Sequence, residues 1–568
     1  MTILGIKYPG HDAAAALVVD GEIAYASAQG RFDRIKHSKQ FPSDAIAWCL
    51  SEASLGPDRV DAVAVQYDFW SAYRRSLIDL PKQFGLRAFW ASAQNVGDDV
   101  RKHIRTFAGV RRSLGVRARV FLLDHHDCHA ASAFFASPFD TAAVMTVDGR
   151  GERDTARLYS ASADGLRQLA SIRFPHSLGL MYSKVTSYLG FRSDCDEGTV
   201  MALAAYGDNR FDERFRRLIT FDEGFRFRLA LDRFAYHLNM RCDVANSFIG
   251  DFGARRQPDE EINSNHSAIA YALQRTTEAA LQHLGRAAYD TVRSPNLCFA
   301  GGVALNAVAN GHITNALPFK SIFVQPAAGD DGSAVGAALL LHHLLSGTRA
   351  KARHWWTPYL GYESTQAEIE AALDAASCAY VRVTDPCETA ARLLAEGHVI
   401  GWYQGRAEFG PRALGNRSIL APACALQFKE RVNRIKRRAQ FRPFAPAVLE
   451  EEMPRLFEFW MPSPYMTFAY RLRSSAASLV PAVVHRDGTS RVQTVSSKTN
   501  PRLYAVLRHY RAQTGLGVLL NTSLNGPNDP IANNAGDAVR LFVETEMDAL
   551  VIGNFVTTKA SAALVNRV

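Results

Sequence analysis

The feature that most restricts how this chain can fold is a recurring unit, a short apolar run that ends in a glycine-rich or acidic loop. The clearest runs are TILGIKY, RVFLLDHH, TAAVMTVDG, NLCFAGG and SIFVQPAAGDDG. Segments with helical character lie between them, and SAVGAALLLHHLL begins directly after the last loop. Because alternating strands and helices pack as layers around a sheet, the pattern predicts an α/β fold.

Length and a change of composition predict two domains. A chain of 568 residues is too long for one hydrophobic core. The stretch 346–366 is polar, basic, aromatic and irregular, and strands and helices alternate again after it. We therefore predict an N-terminal domain at 1–345, a linker at 346–366 and a C-terminal domain at 367–568. No internal repeat is visible in the sequence.

Composition argues against several classes of protein. The formal charge is +9, but lysines and arginines are spread along the chain, which disfavours nucleic acid and favours small phosphate-bearing molecules. No apolar run approaches the length of about 20 residues that a membrane span needs. The first residues lack a signal-peptide pattern, and the eight cysteines form no CxxC pair, as expected for reduced thiols. These features predict a cytoplasmic protein without a nucleic-acid or membrane partner.

The run DHHDCHAASAFF contains candidate metal ligands. His125 and His129 are four residues apart, so on a helix their imidazoles lie on one face. Asp148, in VDGRGE, and Asp330 and Asp331, in GDDG, follow apolar strands at the positions where α/β sheets bind ligands. Two imidazoles with carboxylates suit Fe(II), Mn(II) or Zn(II), among which the sequence does not choose. Surface or capping histidines are the alternative interpretation.

Three glycine-marked loops in the N-terminal domain are candidates for binding phosphate. They are Gly10–Asp12, Asp148–Gly151 and Gly301–Asn306. Glycine lets backbone amides approach a phosphate, and a helix that begins after the loop adds a favourable dipole. An ordinary tight turn is the alternative for each loop. Together the three loops resemble the actin-like nucleotidase layout, in which two loops hold phosphates and a later GG loop packs against adenosine.

The C-terminal domain carries a second candidate site, which is cationic. Its segments GRAEFGPRALGNRSIL (405–420) and KRRAQFRPFAP (436–446) contain Arg406, Arg412, Arg417, Lys436, Arg438 and Arg442. Arginine presents a planar fork to phosphate and lysine a point charge, so the two segments predict a polyphosphate site. A solvated basic face is the alternative.

The order of the motifs resembles that of one family, the NodU/CmcH carbamoyltransferases. The motifs are HxxxH, VDGxGE, HSLGLMYS (176–183), EGxxMxLAxYG (197–207), GGVALN (301–306) and PAxGDDGxAxGAAL. The resemblance covers nearly the whole chain. It implies an N-terminal domain of the actin-like (ASKHA) class, similar to the tRNA threonylcarbamoyladenosine transferase, and a C-terminal YrdC-like domain.

The resemblance also implies roles for individual residues of the N-terminal domain. A metal, Fe(II) or else Mn(II) or Zn(II), is expected on His125, His129, Asp148 and Asp330. Gly301, Gly302 and Asn306 are expected to contact the nucleoside. His11 and Asp12 lie where the acceptor meets the carbamoyl carbon. We expect His11 to be the general base, since the pKa of an imidazole lies near neutrality, with capping of a turn as the alternative.

In the C-terminal domain the resemblance implies formation of carbamoyl-adenylate from carbamoyl phosphate and ATP, with Mg²⁺. The implied binding residues are Arg412, Lys436, Arg491, Asn521 and Ser523. The adenylate would pass to the N-terminal site, where the carbamoyl group is transferred. This predicts an O-carbamoyltransferase of secondary metabolism that acts on a hydroxyl, or less readily an amine, of a small molecule. A homodimer is a further expectation.

Alternative functions and departures from the family pattern leave the acceptor open. The alternatives are an ATP-dependent ligase or N-transferase with the same adenylate chemistry, a nucleotide-binding module without catalysis, and a tRNA-modifying enzyme. Departures occur at Gln29-Gly30, Thr199, Pro422, Ala439, Leu524 and Asp529. The segment 208–262, rich in arginine and aspartate, is the candidate for binding a polar acceptor.

Overall fold

The computed structural model describes residues 1–79, 82, 86–115, 118–237, 243–348 and 357–559. Their contacts divide the chain into two units. The first comprises Met1–Gln29 and His37–Trp356, and the second comprises Gly30–Lys36 and Thr357–Val568. Of the predicted linker 346–366, residues 349–356 lie outside the described residues.

The first unit begins with a five-stranded sheet. Its strands are β1 (Thr2–Lys7), β2 (Ala14–Val19), β3 (Glu22–Ala28), β4 (Ala62–Gln66) and β5 (Val120–Leu123), in the order β3-β2-β1-β4-β5. The first three strands form an antiparallel meander, and β4 and β5 continue the sheet parallel to β1. Strands β1, β2 and β4 are almost wholly buried, as expected for the part of a sheet that is covered on both faces, whereas β3 and β5 are partly exposed.

A second five-stranded sheet in this unit repeats the topology of the first. Its strands are β6 (Ala142–Val147), β7 (Asp154–Ser162), β8 (Gly165–Arg173), β11 (Asn296–Ala300) and β12 (Ser321–Val324), in the order β12-β11-β6-β7-β8; β9 (Ile219–Phe221) and β10 (Phe227–Leu229) pair separately. Again three strands form a meander and two follow in parallel. The duplication is structural and leaves no visible sequence repeat. The predicted α/β, actin-like class is confirmed.

The longer helices of the first unit connect these strands. They are α1 (Ser43–Glu52), α2 (Phe69–Arg74), α3 (Leu86–Leu114), α4 (His125–Phe134), α5 (Leu178–Tyr188), α6 (Glu197–Ala204), α7 (Asn246–Phe252), α8 (Ser264–Val292), α9 (Ala307–Ala316) and α10 (Ser333–Ser346). Helices α4 and α10 can pack closely because Gly336 has no side chain. A Cβ at Gly336 would overlap the carbonyl oxygen of Cys128.

The second unit is built on one nine-stranded mixed sheet. In chain order its strands are β13 (Tyr380–Arg382), β14 (Ile400–Tyr403), β15 (Arg417–Pro422), β16 (Ala445–Leu449), β17 (Phe468–Arg471), β18 (Thr489–Val495), β19 (Val518–Ser523), β20 (Ala549–Ile552) and β21 (Phe555–Thr558). The spatial order is β13-β21-β20-β14-β15-β19-β16-β18-β17. Only β14–β20 and β16–β18 pair in parallel among these described strands.

Five longer helices accompany this sheet. They are α11 (Gln366–Ala375), α12 (Pro386–Ala395), α13 (Leu426–Ile435), α14 (Pro501–Thr514) and α15 (Ala535–Glu544). The hydrophobic core lies between the sheet and helices α12 and α14, and it includes Leu394, Trp402, Val506 and Val551. Over the described ranges no helix combines the length and apolar character needed to cross a bilayer.

Candidate functional site

The four predicted metal ligands lie together in the first unit. His125 and His129 are on α4, Asp148 follows β6 and Asp330 follows β12. The side chain of Asp124 caps α4 by accepting hydrogen bonds from the first amides of the helix, which fixes where the helix begins. The carboxyl ends of two strands and the first two turns of a helix therefore lie close together.

The spacing of these side chains fits a single cation. Nε2 of His125 and Nε2 of His129 each lie 3.0 Å from Oδ2 of Asp148. Their distances to Oδ1 of Asp330 are 3.9 and 3.6 Å, and one ligand atom from each residue lies within 4.8 Å of all the others. Atoms that bind one ion at about 2.0–2.2 Å are separated by distances of this size.

His129 gives a test of whether the cluster suits a metal. The side chain is fully buried, and among the described residues neither ring nitrogen has a well-directed hydrogen bond. Burial lowers the pKa of His129, but the close contacts with the carboxylates of Asp148 and Asp330 and their negative charge outweigh it and raise that pKa to about 9. A buried imidazole without directed partners beside two carboxylates fits Fe(II), Mn(II) or Zn(II).

Lys7 is a part of this site that sequence reasoning missed. Its Nζ lies 2.8 Å from Oδ2 of Asp330 and is almost fully buried. The contact leaves Oδ1 of Asp330 to face the histidines. The only sequence signal was a lysine at the end of the apolar strand β1.

Glu152, from the VDGRGE motif, ties the N-terminus of α4 to neighbouring segments. Its two carboxylate oxygens accept the backbone N–H groups of His125 and Asp68, each at 3.0 Å. Burial raises the pKa of Glu152 to about 7.

His126 lies on another face of α4, where its ring nitrogens contact Thr146 Oγ1 and the carbonyl oxygen of Asp154 at 2.9 Å. His126 is therefore a neighbour of the cluster and not one of its ligands.

The GG loop lies directly beside Asp148. A Cβ at Gly301 would overlap the carbonyl oxygen of Val147, and one at Gly302 would lie 3.1 Å from Oδ1 of Asp148. Asn306 accepts the amide of Ala309 at 3.0 Å and so caps α9. The structure thus brings the predicted nucleoside loop against the predicted metal ligands.

Gly301→Ala is expected to destabilise this loop by about 1–3 kcal/mol, because the backbone at Gly301 has φ of +94° and ψ of 159°, a region open essentially to glycine alone. Overlap of the new Cβ with the Val147 carbonyl adds to that cost. The check is the thermal unfolding midpoint, which should fall. Gly250→Ala, where a Cβ meets open space within α7, is the control and should leave the midpoint unchanged or higher. Equal midpoints for the two variants would contradict the expectation.

His11 and Asp12 form a hydrogen-bonded group with a third residue, His37. Asp12 has φ of +57°, and its two carboxylate oxygens lie 2.8 Å from Nδ1 of His11 and Nδ1 of His37. Burial lowers the pKa of His11, but Asp12 and Asp330 outweigh it and raise that pKa to about 9. The pKa of His37 rises to about 10, chiefly through its hydrogen bond to Asp12. The neighbouring carboxylates therefore favour the protonated form of His11, and a base at this position must first lose that proton.

The predicted acceptor segment, 208–262, contains a polar surface cavity. Its lining includes Arg214, Arg217, Arg233, Asp232 and Asp251. Residues 238–242 of the segment lie outside the described residues.

The second unit contains a cluster of cations. Burial, then the charges of Arg412, Arg438 and Arg442, lower the pKa of Arg491. Burial and the neighbouring Arg442 lower the pKa of Arg438 to about 9 and that of Arg412 to about 10. Nε of Arg491 is buried and has no hydrogen-bond partner among the described residues. We define the cation cluster as Arg412, Lys436, Arg438, Arg442 and Arg491.

Lys436 joins this cluster to the loop after β19. Its Nζ donates to the carbonyl oxygen of Ser523 at 2.7 Å and to Oδ1 of Asn525 at 2.6 Å. Burial and the neighbouring cations lower the pKa of Lys436. Asn521 donates to Oε1 of Gln493 at 2.8 Å, while its own Oδ1 is buried without a partner among the described residues.

Two arginines of the segment 405–420 have other partners. Arg406 donates to the carbonyl oxygen of Leu360 at 2.9 Å. Arg417 is fully buried, donates to the carbonyl oxygen of Gln404 at 2.8 Å and lies 3.6 Å above the ring of Tyr403. Contacts of this kind hold loops together, so of the three arginines in the motif only Arg412 joins the cation cluster.

A short segment near the N-terminus belongs to the second unit. Residues Gly30–Lys36 fall within it. Arg31 donates to the carbonyl oxygen of Glu408 at 3.3 Å, and Arg34 donates to that of Pro530 at 2.9 Å. The sequence offered no sign that this segment leaves the first unit.

Comparison with known proteins covers both units. A family model described as Carbamoyltransferase N-terminus matches residues 2–339, and one described as Carbamoyltransferase C-terminus matches residues 391–559. An uncharacterized protein of Synechocystis sp. is 39% identical, with 98% of this chain and 97% of that protein covered. Nodulation protein NolNO of Sinorhizobium fredii is 35% identical, with 97% and 80% covered.

Likeness to solved structures is weak by comparison. Full-length HypF in its phosphate- and nucleotide-bound form aligns with 61% of this chain and 56% of its own, at 10% identity and a TM-score of 0.32. A likeness at this level carries no information about activity.

Proposed function

The chain belongs to the carbamoyltransferase family, and from that premise we propose that it is an ATP-dependent O-carbamoyltransferase that modifies a hydroxyl group of a small molecule. The acceptor would be a secondary metabolite. Carbamoyl phosphate and ATP would be the co-substrates, with Mg²⁺ accompanying the ATP.

The observation that carries the proposal is the cation cluster of the second unit. Burial and the neighbouring positive charges lower the pKa values of Arg412, Arg438 and Arg491, so these charges are unfavourable until an anion binds. Clustered cations of this kind stabilise charge that develops on phosphates. We infer that Arg412, Lys436, Arg491, Asn521 and Ser523 bind carbamoyl phosphate and ATP.

The proposed first half-reaction takes place at this cluster. Water cleaves carbamoyl phosphate to carbamate and inorganic phosphate. A carbamate oxygen then attacks the α-phosphorus of ATP, the bond to the β-phosphate breaks, and pyrophosphate leaves. The product is carbamoyl-adenylate. The guanidinium of Arg491, whose Nε has no protein partner among the described residues, would pair with a phosphate oxygen.

The proposed second half-reaction takes place in the first unit. A metal ion held by His125, His129, Asp148 and Asp330 would supply positive charge for the adenylate phosphate. Gly301, Gly302 and Asn306 would contact the nucleoside. Asp12 accepts Nδ1–H of His11, which leaves Nε2 to take the acceptor proton once the ring is neutral. The acceptor oxygen bonds to the carbamoyl carbon and AMP leaves.

Two further points follow from the contacts around these sites. Lys7 neutralises Oδ2 of Asp330 and so lowers the cost of burying two carboxylates side by side. The cavity with Arg214, Arg233 and Asp251 is polar, in keeping with a polar acceptor.

The proposal is tested by supplying the protein with labelled carbamoyl phosphate and ATP without an acceptor. We expect labelled carbamoyl-adenylate and pyrophosphate to form in equal amounts. Omitting carbamoyl phosphate is the control and should abolish pyrophosphate release. Pyrophosphate released only with another carboxylate donor would instead indicate an ATP-dependent ligase, and no adenylate with any donor would indicate a binding module.

A further inference from the structure

We propose that Gln66 is a positioning residue of the metal site, whose side-chain carbonyl holds His125 in the tautomer that can bind an ion through Nε2. This inference rests on the metal site of the proposed function. Gln66 is the last residue of β4 and is 3% exposed. Its sequence signal was slight, a single polar residue at the end of the apolar strand AVAVQ.

The contacts of Gln66 reach two of the proposed ligands. Its Nε2 lies 2.8 Å from Nδ1 of His125, and its Oε1 lies 3.4 Å from Oγ of Ser333. Ser333 in turn donates its hydroxyl proton to the carbonyl oxygen of Asp330 at 2.5 Å. One chain of polar groups therefore runs from His125 through Gln66 and Ser333 to the backbone of Asp330.

The protons of this chain can be assigned from the chemistry of imidazole. A neutral imidazole carries one proton, and the nitrogen that binds a cation must offer its lone pair. Nε2 of His125 faces Asp148, so a bound ion requires the proton on Nδ1. Nδ1–H then needs an acceptor, and only the carbonyl oxygen of the Gln66 amide can accept.

The contact of Gln66 with Ser333 also favours the orientation in which the carbonyl oxygen of Gln66 lies toward His125. With its oxygen toward His125, the NH₂ group faces Ser333 Oγ, whose lone pairs are available because its proton goes to Asp330. In the reverse orientation Ser333 would need its single proton for both Asp330 and Gln66. The reverse orientation, with Nε2 of Gln66 toward His125, is the one that the structure shows. It suits the site without an ion, where Nε2–H of His125 donates to Asp148 and Nδ1 of His125 accepts from Gln66. Rotating one amide thus serves both states of His125.

Two substitutions separate this role from simple filling of space. Gln66→Met keeps the volume and removes the acceptor, whereas Gln66→Glu keeps an acceptor and removes the donor. Loss of a hydrogen bond to a metal-binding histidine typically weakens metal binding about 10–100-fold. We therefore expect Zn²⁺ to bind Gln66→Met about 10–100-fold more weakly than wild type. We expect Gln66→Glu to bind it at least as tightly as wild type.

The experiment titrates metal-stripped full-length protein with Zn²⁺ by calorimetry and records the thermal midpoint of each variant. Gln29→Met is the control, since Gln29 is an equally buried glutamine of the same unit that accepts amides of α1; it should lower the midpoint and leave Zn²⁺ affinity unchanged. Unchanged affinity in Gln66→Met, or a tenfold loss in Gln66→Glu, overturns the role. If Gln66→Met does not fold, Gln66→Glu alone decides. Wild-type protein that binds no ion overturns the metal site itself, and the role of Gln66 with it.

Discussion

Arg491→Met is expected to lower the rate of carbamoyl-adenylate formation at least about 100-fold while leaving the thermal midpoint unchanged or higher. Removing one preorganised charge or donor from a site that stabilises developing negative charge costs about 100- to 1,000-fold. The stability of the fold, in contrast to the rate, should not fall. The lowered pKa of Arg491 means that its charge is unfavourable in the ligand-free fold, and methionine removes that charge while retaining much of the buried volume.

The measurement is the half-reaction with labelled carbamoyl phosphate and ATP, together with a thermal scan of the same preparation. Arg486→Met is the matched control, because Arg486 is exposed and only five positions away. It should change neither quantity. If Arg491→Met unfolds at a lower temperature and retains the half-reaction, Arg491 supports the structure and does not bind phosphate.

His129→Ala is expected to leave the half-reaction within about threefold of wild type and to reduce carbamoyl transfer to an acceptor about 1,000-fold. His129 is one of four proposed ligands in the first unit, whereas the half-reaction is assigned to residues of the second unit. A metal ion that stabilises charge in the transition state contributes several kcal/mol, and about 4 kcal/mol corresponds to a factor of about 1,000.

Three quantities are measured for His129→Ala: metal bound per chain, adenylate formed, and AMP released when acceptor is present. His126→Asn is the control, since His126 is equally buried on the same helix but hydrogen-bonds through both ring nitrogens. It should lose stability and retain the metal. Loss of adenylate formation in His129→Ala would contradict the assignment of the two half-reactions to different sites.

Much of the fold was predictable from sequence because strands and helices follow local periodicities. The apolar runs became β1, β5, β6, β11 and β12, and α10 begins where its helical pattern follows the GDDG loop. The i, i+4 spacing placed His125 and His129 on one face of α4, with ring centroids 4.6 Å apart. The duplication of the sheet topology was not predicted, because two sheets can have the same strand order without having similar amino-acid sequences.

The candidate sites were only partly predictable. The segment 405–420 contains three arginines with similar surroundings in sequence. In the structure Arg417 donates hydrogen bonds to backbone carbonyl oxygens, whereas the charged neighbour of Arg412 is another arginine, Arg442. Gln29, a departure from the family pattern, contacts the first turn of α1 through both amide atoms. The surroundings of these arginines and of Gln29 could not be predicted from the residues next to them in sequence.

The sequence by itself determined the class of fold, the family and the set of chemically capable residues, because motif spacing and periodicity are properties of neighbouring positions. Only the tertiary structure decided which of those residues meet. Gln66 and His125 are 59 positions apart, Ser333 and Gln66 are 267 apart, and Arg34 and Pro530 are 496 apart. Contacts over such separations depend on how strands and helices pack, since a side chain finds its partner only after the backbone of both segments is in place.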